Sequence, residues 1–190
     1  MRTFIAIDLP KGIKDYLAGL QAELKSSGAD VKWVKPENIH LTLKFLGNIN
    51  DKKLDAVKRV LQDTAKNKSP FLIHISSIGA FPKMNFPRVI WVGIDKGDSE
   101  TKQIAKELEE KIQKLGIPKE KRAFSSHITI GRIRSPLNRE KLIQRLSNLI
   151  GNLGGENLKF LAGKITLFKS TLTPQGPVYE AVKETSLTTT

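Results

Sequence analysis

The chain repeats its plan once, and that repeat limits what it can fold into more than any other feature. An order of strand, helix, strand, helix, strand runs from "TFIAIDL" and begins again at "RVIWVGI". In each copy one strand opens with a histidine: "HLTL" at residues 40 to 43 and "HITI" at residues 127 to 130. Asp8, at the end of the first strand, lies 32 positions before His40, and Asp95 lies 32 positions before His127. Repetition at a matched interval predicts a pseudo-twofold arrangement of two similar lobes, with the two motif strands at equivalent places.

Apolar periodicity fills in the rest. In "PKGIKDYLAGLQAELKSSG", Ile13, Leu17, Leu20 and Leu24 recur at helical spacing and Gly28 is a helix stop. "VKWV" reads as a short strand before a turn at Pro36, and "HLTLKFLG" as a strand closed by Gly47. "INDKKLDAVKRVLQDTAK" reads as a helix capped by Asn50 or Asp51, with Leu54, Val57, Val60 and Leu61 on one face. "FLIHISSIGAF" reads as a strand or strand pair, followed by a proline-bracketed loop, "PKMNFP".

In the second copy the helix "DSETKQIAKELEEKIQKLG" opens with a capping box at Ser99 and ends at Gly116. After the strand "AFSSHITIGRI" comes the helix "SPLNREKLIQRLSNLIG". "GNLGGE" (residues 151 to 156) reads as a loop after that helix, "KFLAGKITLFKSTL" as a strand pair and "PVYEAVKE" as the last strand. The expected organisation is one bilobal domain, 1–190, of two halves, about 1–86 and 87–182, with strands free to exchange between them. Residues 185–190 are expected to fray.

Composition narrows the function. The chain carries +13 formal charge spread along its length, which favours a polyanionic partner, most simply nucleic acid. A solvated, lysine-rich surface of the kind thermophiles carry is the competing reading. There is no cysteine, so neither disulfides nor thiolate chemistry. No apolar run approaches the roughly 18 residues needed to span a bilayer. The apolar run near the N-terminus is too short for a signal peptide. A cytoplasmic protein is expected. No Walker-type glycine loop is present. The carboxylates sit mostly on helix faces beside lysines, as solvated pairs and not as a two-carboxylate centre.

The motif has its own chemistry. On a strand, residues i and i+2 point to one side about 7 Å apart. Leu41 and Leu43, like Ile128 and Ile130, enter the core, while His40 with Thr42 and His127 with Thr129 share the opposite faces. A pair of imidazoles with pKa values near 6.5 can act as general base and general acid on either side of one reacting atom. Threonine hydroxyls are neutral donors suited to the non-bridging oxygens of a phosphodiester. One strand His-x-Thr alone is usually structural. Two copies that use two of the three histidines point to a site.

Zinc wants three or four ligands. The third histidine, His74, has no obvious carboxylate nearby and reads as a structural strand position, so no metal is expected. Lys44 continues the His40–Thr42 face by alternation. Arg132 falls on the face opposite His127 unless the strand bulges at Gly131. Arg88, Arg122 and Lys169 are further cleft candidates. Phe45, Phe81, Phe86 and Trp91 are either core residues or a base-stacking surface.

Taken together, these segments resemble the two-histidine phosphoesterase superfamily and, within it, the RNA 2′,3′-cyclic phosphodiesterases, long called 2′-5′ RNA ligases. The resemblance rests on "RTFIAIDLP", "WVKPENIHLTLKFLGNI", "GAFP" with "PRVIWVGI", and "FSSHITIGRI", and covers most of the chain. Ser126 departs from it, standing where relatives often have proline.

The resemblance implies an α+β, bilobal duplicated fold with an antiparallel sheet and helices in each lobe and the active-site cleft between them. It implies metal-free hydrolysis of RNA 2′,3′-cyclic phosphate ends to 2′-phosphates, without cofactor. His127 would be the proton acceptor, His40 the proton donor, and Thr42 and Thr129 the phosphate-binding residues. Lys44, Arg132 and Phe45 remain substrate-binding candidates. The expected partner is RNA with a 2′,3′-cyclic phosphate or 2′-5′ linkage, met by a monomer and not at a membrane. The alternatives are 2′-5′ ligation as the working direction, a non-catalytic RNA-binding module, and a phosphodiesterase of small nucleotides.

Overall fold

A computed structural model describes residues 1–153 and 158–189. The strands are β1 (Arg2–Asp8), β2 (Val31–Trp33), β3 (His40–Asn48), β4 (Phe71–Lys83), β5 (Phe86–Ile94), β6 (His127–Ile133), β7 (Lys159–Ala162), β8 (Lys164–Thr173) and β9 (Gly176–Ser186). The helices are α1 (Lys11–Lys25), α2 (Asp51–Ala65), α3 (Asp98–Gln113) and α4 (Arg139–Leu149), and a 3-10 turn spans Pro36–Asn38.

The fold is α+β, with two antiparallel sheets. One has the order β3-β1-β8-β9 and the other β2-β6-β5-β4-β7. Both sheets draw on both ends of the chain. β1 pairs with its own motif strand β3 on one side and with β8 on the other. β5 pairs with its own motif strand β6 and with β4 from the earlier half.

Each sheet buries one face. Ile5, Ile7, Leu41 and Leu43 in the first sheet, and Ile90, Val92, Ile128 and Ile130 in the second, belong to one continuous core. The helices close over it with the stripes their spacing predicts, Ile13, Leu17, Leu20 and Leu24 on α1 and Leu54, Val57 and Leu61 on α2. At about 25 cal/mol per Å² of apolar surface, each such leucine or isoleucine contributes about 2 kcal/mol. Asn50 is the α2 cap, its side chain accepting the Lys53 N–H at 2.9 Å. Among the described residues no helix is long and apolar enough to cross a membrane.

Three local expectations change. The α3 N-cap is Gly97, with φ +81°, and Ser99 lies inside the first turn. The "PKMNFP" segment is a tight hairpin turning at Met84 and Asn85. Pro82 and Pro87 are directly opposed there, so neither residue of this pair donates to the ladder. In the tail expected to fray, Thr185 and Ser186 belong to β9 and the Leu187 side chain is buried, while residue 190 lies outside the described residues. The N–H groups of Leu187 and Thr188 donate to Gly163 O (2.8 Å) and Ala65 O (3.2 Å). In the loop read at 151 to 156, Gly151 and Asn152 form a turn, and 154–156 lie outside the described residues.

Candidate active site

Both motif strands break alternation at the same point. Along β1, Asp8 opposes His40 and Ala6 opposes Thr42, but the next residue, Ile5, opposes Lys44. Along β5, Gly93 opposes His127 and Trp91 opposes Thr129, but the next residue, Ile90, opposes Gly131. Each motif strand therefore carries one extra residue just after its threonine, a β-bulge. The bulge turns two successive residues to the core, Leu43 with Lys44 and Ile130 with Gly131, all buried. The residue after them returns to the open face. Phe45 thus joins His40 and Thr42, and Arg132 joins His127 and Thr129.

Lys44 is consequently not on the site face, contrary to its assignment by alternation. It is buried, and its ammonium donates to Glu109 Oε1 and to the Pro118 carbonyl, both at 3.0 Å. Glu109 Oε1 also accepts the Glu120 N–H at 3.0 Å. Lys44 thus ties β3 to α3 and to the segment leading into β6. At the matching place Gly131 has no side chain, and a Cβ there would lie 2.8 Å from Val31 and 3.0 Å from the Trp33 ring. The Ile130 carbonyl beside it accepts from the Val34 N–H (3.0 Å) and from the buried Gln21 amide (2.8 Å), so α1 satisfies the second bulge.

The two imidazoles are held alike. His40 Nδ1 is 2.7 Å from the Asn38 carbonyl, and His127 Nδ1 is 2.8 Å from the Ser125 carbonyl. A carbonyl only accepts, so Nδ1 carries the proton in both rings. Nε2 is then the atom that takes a proton in the neutral form and gives one in the charged form. Asn38 is itself buried and fixed, its amide donating to Pro177 O at 2.8 Å.

The surroundings differ. His40 stacks on Phe4 at 4.7 Å and meets the Tyr179 edge at 5.4 Å. This burial lowers its pKa from the ordinary 6.5, against the upward pull of the Asn38 carbonyl and of Asp8, with Lys14 adding to the lowering. His127 meets the edge of Phe81 at 5.1 Å, and Phe81 packs on Trp91 at 5.2 Å. Trp91 lies flat over Gly79, where any Cβ would collide with its ring. Phe81, Trp91 and Phe45 therefore line the open faces. Phe86 does not; it lies beneath the Arg139 guanidinium, 4.7 Å from its ring centre.

β3 and β6 are in contact. Burial raises the Tyr179 pKa, and Arg2 and Arg132 offset it, so the Arg132 charge of the second sheet reaches a ring that touches His40 in the first. Thr42 and Thr129 are partly exposed on the two faces. Among the other cation candidates, Arg88 sits near the Phe86 ring (5.8 Å), and Lys169 is paired with Glu180 at 3.1 Å. Arg122 is exposed in the segment before β6.

His74 does have a carboxylate neighbour: Asp95 Oδ1 lies 2.8 Å from its Nδ1. Asp95 matches Asp8 in spacing, yet it serves this third histidine and not His127. Among the described residues no three His, Asp or Glu side chains are grouped to hold a metal. Sequence reasoning missed Phe4, Tyr179 and Asn38. Phe4 was discoverable as the residue two before Ala6, and Tyr179 as one of only two tyrosines in the chain.

Known proteins match this arrangement along nearly its whole length. The LigT-like phosphoesterase family matches twice, over residues 7–91 and 92–179. A Methanocaldococcus jannaschii protein named RNA 2′,3′-cyclic phosphodiesterase is 41% identical over 184 residues, 97% of this chain and 99% of its own. A protein of the same name from Methanothermobacter thermautotrophicus is 37% identical over 180 residues, 94% of this chain and 95% of its own. Among solved structures, one from Thermus thermophilus superimposes with TM-score 0.81 at 26% identity, over 98% of both chains. Apo LigT from E. coli does so with TM-score 0.79 at 25% identity, over 98% of this chain and 97% of its own. Two copies of the family pattern, meeting within β5, are what the repeated strand order and paired bulges describe: the chain belongs to the LigT-like phosphoesterases.

Proposed function

We propose that the chain hydrolyses the 2′,3′-cyclic phosphate at an RNA 3′ end to a 2′-phosphomonoester, by general acid–base catalysis from its own side chains, without metal or cofactor. The observation that carries this reading is the shared fixation of both imidazoles through Nδ1, which leaves two Nε2 atoms for proton transfer on adjoining strands. The names of relatives that align over almost the full chain support the substrate.

His127 Nε2 takes a proton from water as its oxygen bonds to phosphorus. The bond from phosphorus to the 3′ oxygen breaks, and His40 Nε2 gives that oxygen its proton. Thr42 and Thr129 donate to the non-bridging oxygens as their charge grows. Burial disfavours the charged His40 this scheme needs. A bound phosphodiester anion reverses that, since an opposite charge nearby favours imidazolium. Phe45 and Arg132 stand beyond the threonines for a base and a phosphate. The halves, about 1–86 and 87–182, act as one bilobal unit, as a cytoplasmic monomer with RNA as partner.

The test is hydrolysis of an RNA ending in a 2′,3′-cyclic phosphate, in excess EDTA, with the position of the product phosphate determined. A 2′-phosphate is expected. A 3′-phosphate, or an absolute need for added metal, overturns the mechanism.

A further inference from the structure

We infer that Lys32, on the edge strand β2, forms with Arg132 a subsite for the phosphodiester on the 5′ side of the terminal nucleotide, and so makes the enzyme favour RNA ends over free mononucleotides. The inference rests on the function proposed above.

Lys32 and Arg132 are directly opposed in the β2–β6 ladder. Both are exposed. Like charges directly opposite on a sheet repel and destabilise it. Elsewhere the chain avoids this. Lys169 is opposed to Glu180 in the β8–β9 ladder and pairs with it at 3.1 Å. Lys102, Lys58 and Lys11 each sit beside a carboxylate on their own helices. Among the described residues neither Lys32 nor Arg132 has an acidic partner, so this pair is a standing concentration of positive charge.

Its position fits a second phosphate. Val31 and Trp33 turn toward the core and Gly131, so Lys32 points to the opposite side, and the β6 bulge puts Arg132 on that side with Thr129. Thr129 opposes Trp91 and Arg132 opposes Val89, two residues further along β5. That is a step of about 7 Å along the face, which one nucleotide of sugar-phosphate backbone covers. Lys32 stands one strand further out, at the sheet edge, where a continuing RNA chain can leave the crevice. A mononucleoside cyclic phosphate has nothing to place there. The Arg132 charge is felt at Tyr179, whose ring touches His40, so Arg132 lies on the same side of the molecule as the first motif.

The experiment compares kcat/KM for a mononucleoside 2′,3′-cyclic phosphate with that for a short oligoribonucleotide bearing the same end. In the wild type the oligonucleotide is favoured. Lys32→Glu lowers the oligonucleotide-to-mononucleotide ratio by about tenfold or more, and Lys32→Arg restores it. The salt dependence of oligonucleotide KM in Lys32→Ala falls by a slope of about 0.7, one phosphate contact on a single strand. An unchanged ratio in Lys32→Glu, or an equal fall for both substrates, overturns the subsite and leaves the cyclic phosphodiesterase intact. Failure of the wild type to hydrolyse either substrate overturns both.

Discussion

The strands β3 and β6 have the same backbone and different surroundings. Each begins with a histidine whose Nδ1 is held by a carbonyl two residues back, places a threonine next on the open face, and bulges immediately afterwards. Beyond the bulge they diverge. β3 sends Lys44 inward to a partly buried ion pair with Glu109 and Phe45 outward, while β6 sends inward a glycine roofed by Trp33 and outward an arginine. His40 lies against Phe4 and Tyr179, whereas His127 touches Phe81. Duplication thus supplies two imidazoles in equivalent frames, and the side chains around them set them apart. In the proposed mechanism that difference suits the assignment of distinct acid and base roles.

The largest effects should come from what the two strands share. His40→Ala and His127→Ala are each expected to lower single-turnover cleavage of a cyclic-phosphate RNA end by about 10² to 10⁴-fold. The double variant should be little worse than either, because the two act as a unit. Multiplying losses would break the pairing. Next come Thr42→Val and Thr129→Val, which keep shape and remove a donor. Each should reduce kcat by about 10²-fold with KM nearly unchanged, and a pure KM effect in either would assign that threonine to ground-state binding.

The remaining effects separate the strands. Lys44→Ala leaves Glu109 and the Pro118 carbonyl without their cation. It should cost about 3 kcal/mol in urea unfolding, whereas Arg132→Ala, on an exposed side chain, should leave unfolding within about 0.5 kcal/mol of wild type and raise KM. Equal unfolding losses would show that the bulges do not sort the two cations as described. The smallest effect expected is a shift in pH dependence. If protonated His40 is the acid, kcat/KM falls as pH rises through its free-enzyme pKa, which burial holds below 6.5. Tyr179→Ala admits water to the ring, reduces that lowering, and should move the alkaline limb up toward 6.5. A limb that stays put, or moves down, would transfer the acid role to His127.

Much of this is legible in the sequence. The helices were marked by stripes of Leu and Ile at helical spacing, and these lie in the core as their period requires. The paired His-x-Thr segments were legible because alternation is reliable over the first four residues of each strand. It fails at the fifth, since an extra residue in a ladder leaves no trace in apolar patterning when the inward residue that follows it is a lysine or a glycine. Lys44 was misassigned for that reason, and Arg132 depended on a bulge that could be named as a condition but not seen. Phe4 and Tyr179 look like ordinary strand hydrophobes until the neighbouring strand is known. His74 and Asp95 lie 21 residues apart and meet only because β4 and β5 pair.

The position of β8 between β1 and β9 has a consequence for how the protein comes into being. Synthesis proceeds from the N-terminus, so β1 and β3, with His40 and Thr42, leave the ribosome early. The second inner neighbour of β1 is among the last segments made. Until it arrives, β1 presents an unpaired edge and an uncovered apolar face, the kind of surface on which nascent chains stick to one another. A premature stop just before residue 164 would spare both histidines, both threonines, Arg132 and Lys32. It would still leave the first sheet without β8 and β9, and with them the Phe168 and Tyr179 rings around Phe4 and His40. Activity in such a truncated product is therefore lost at the level of folding, and rescue would require the missing hairpin to be supplied separately.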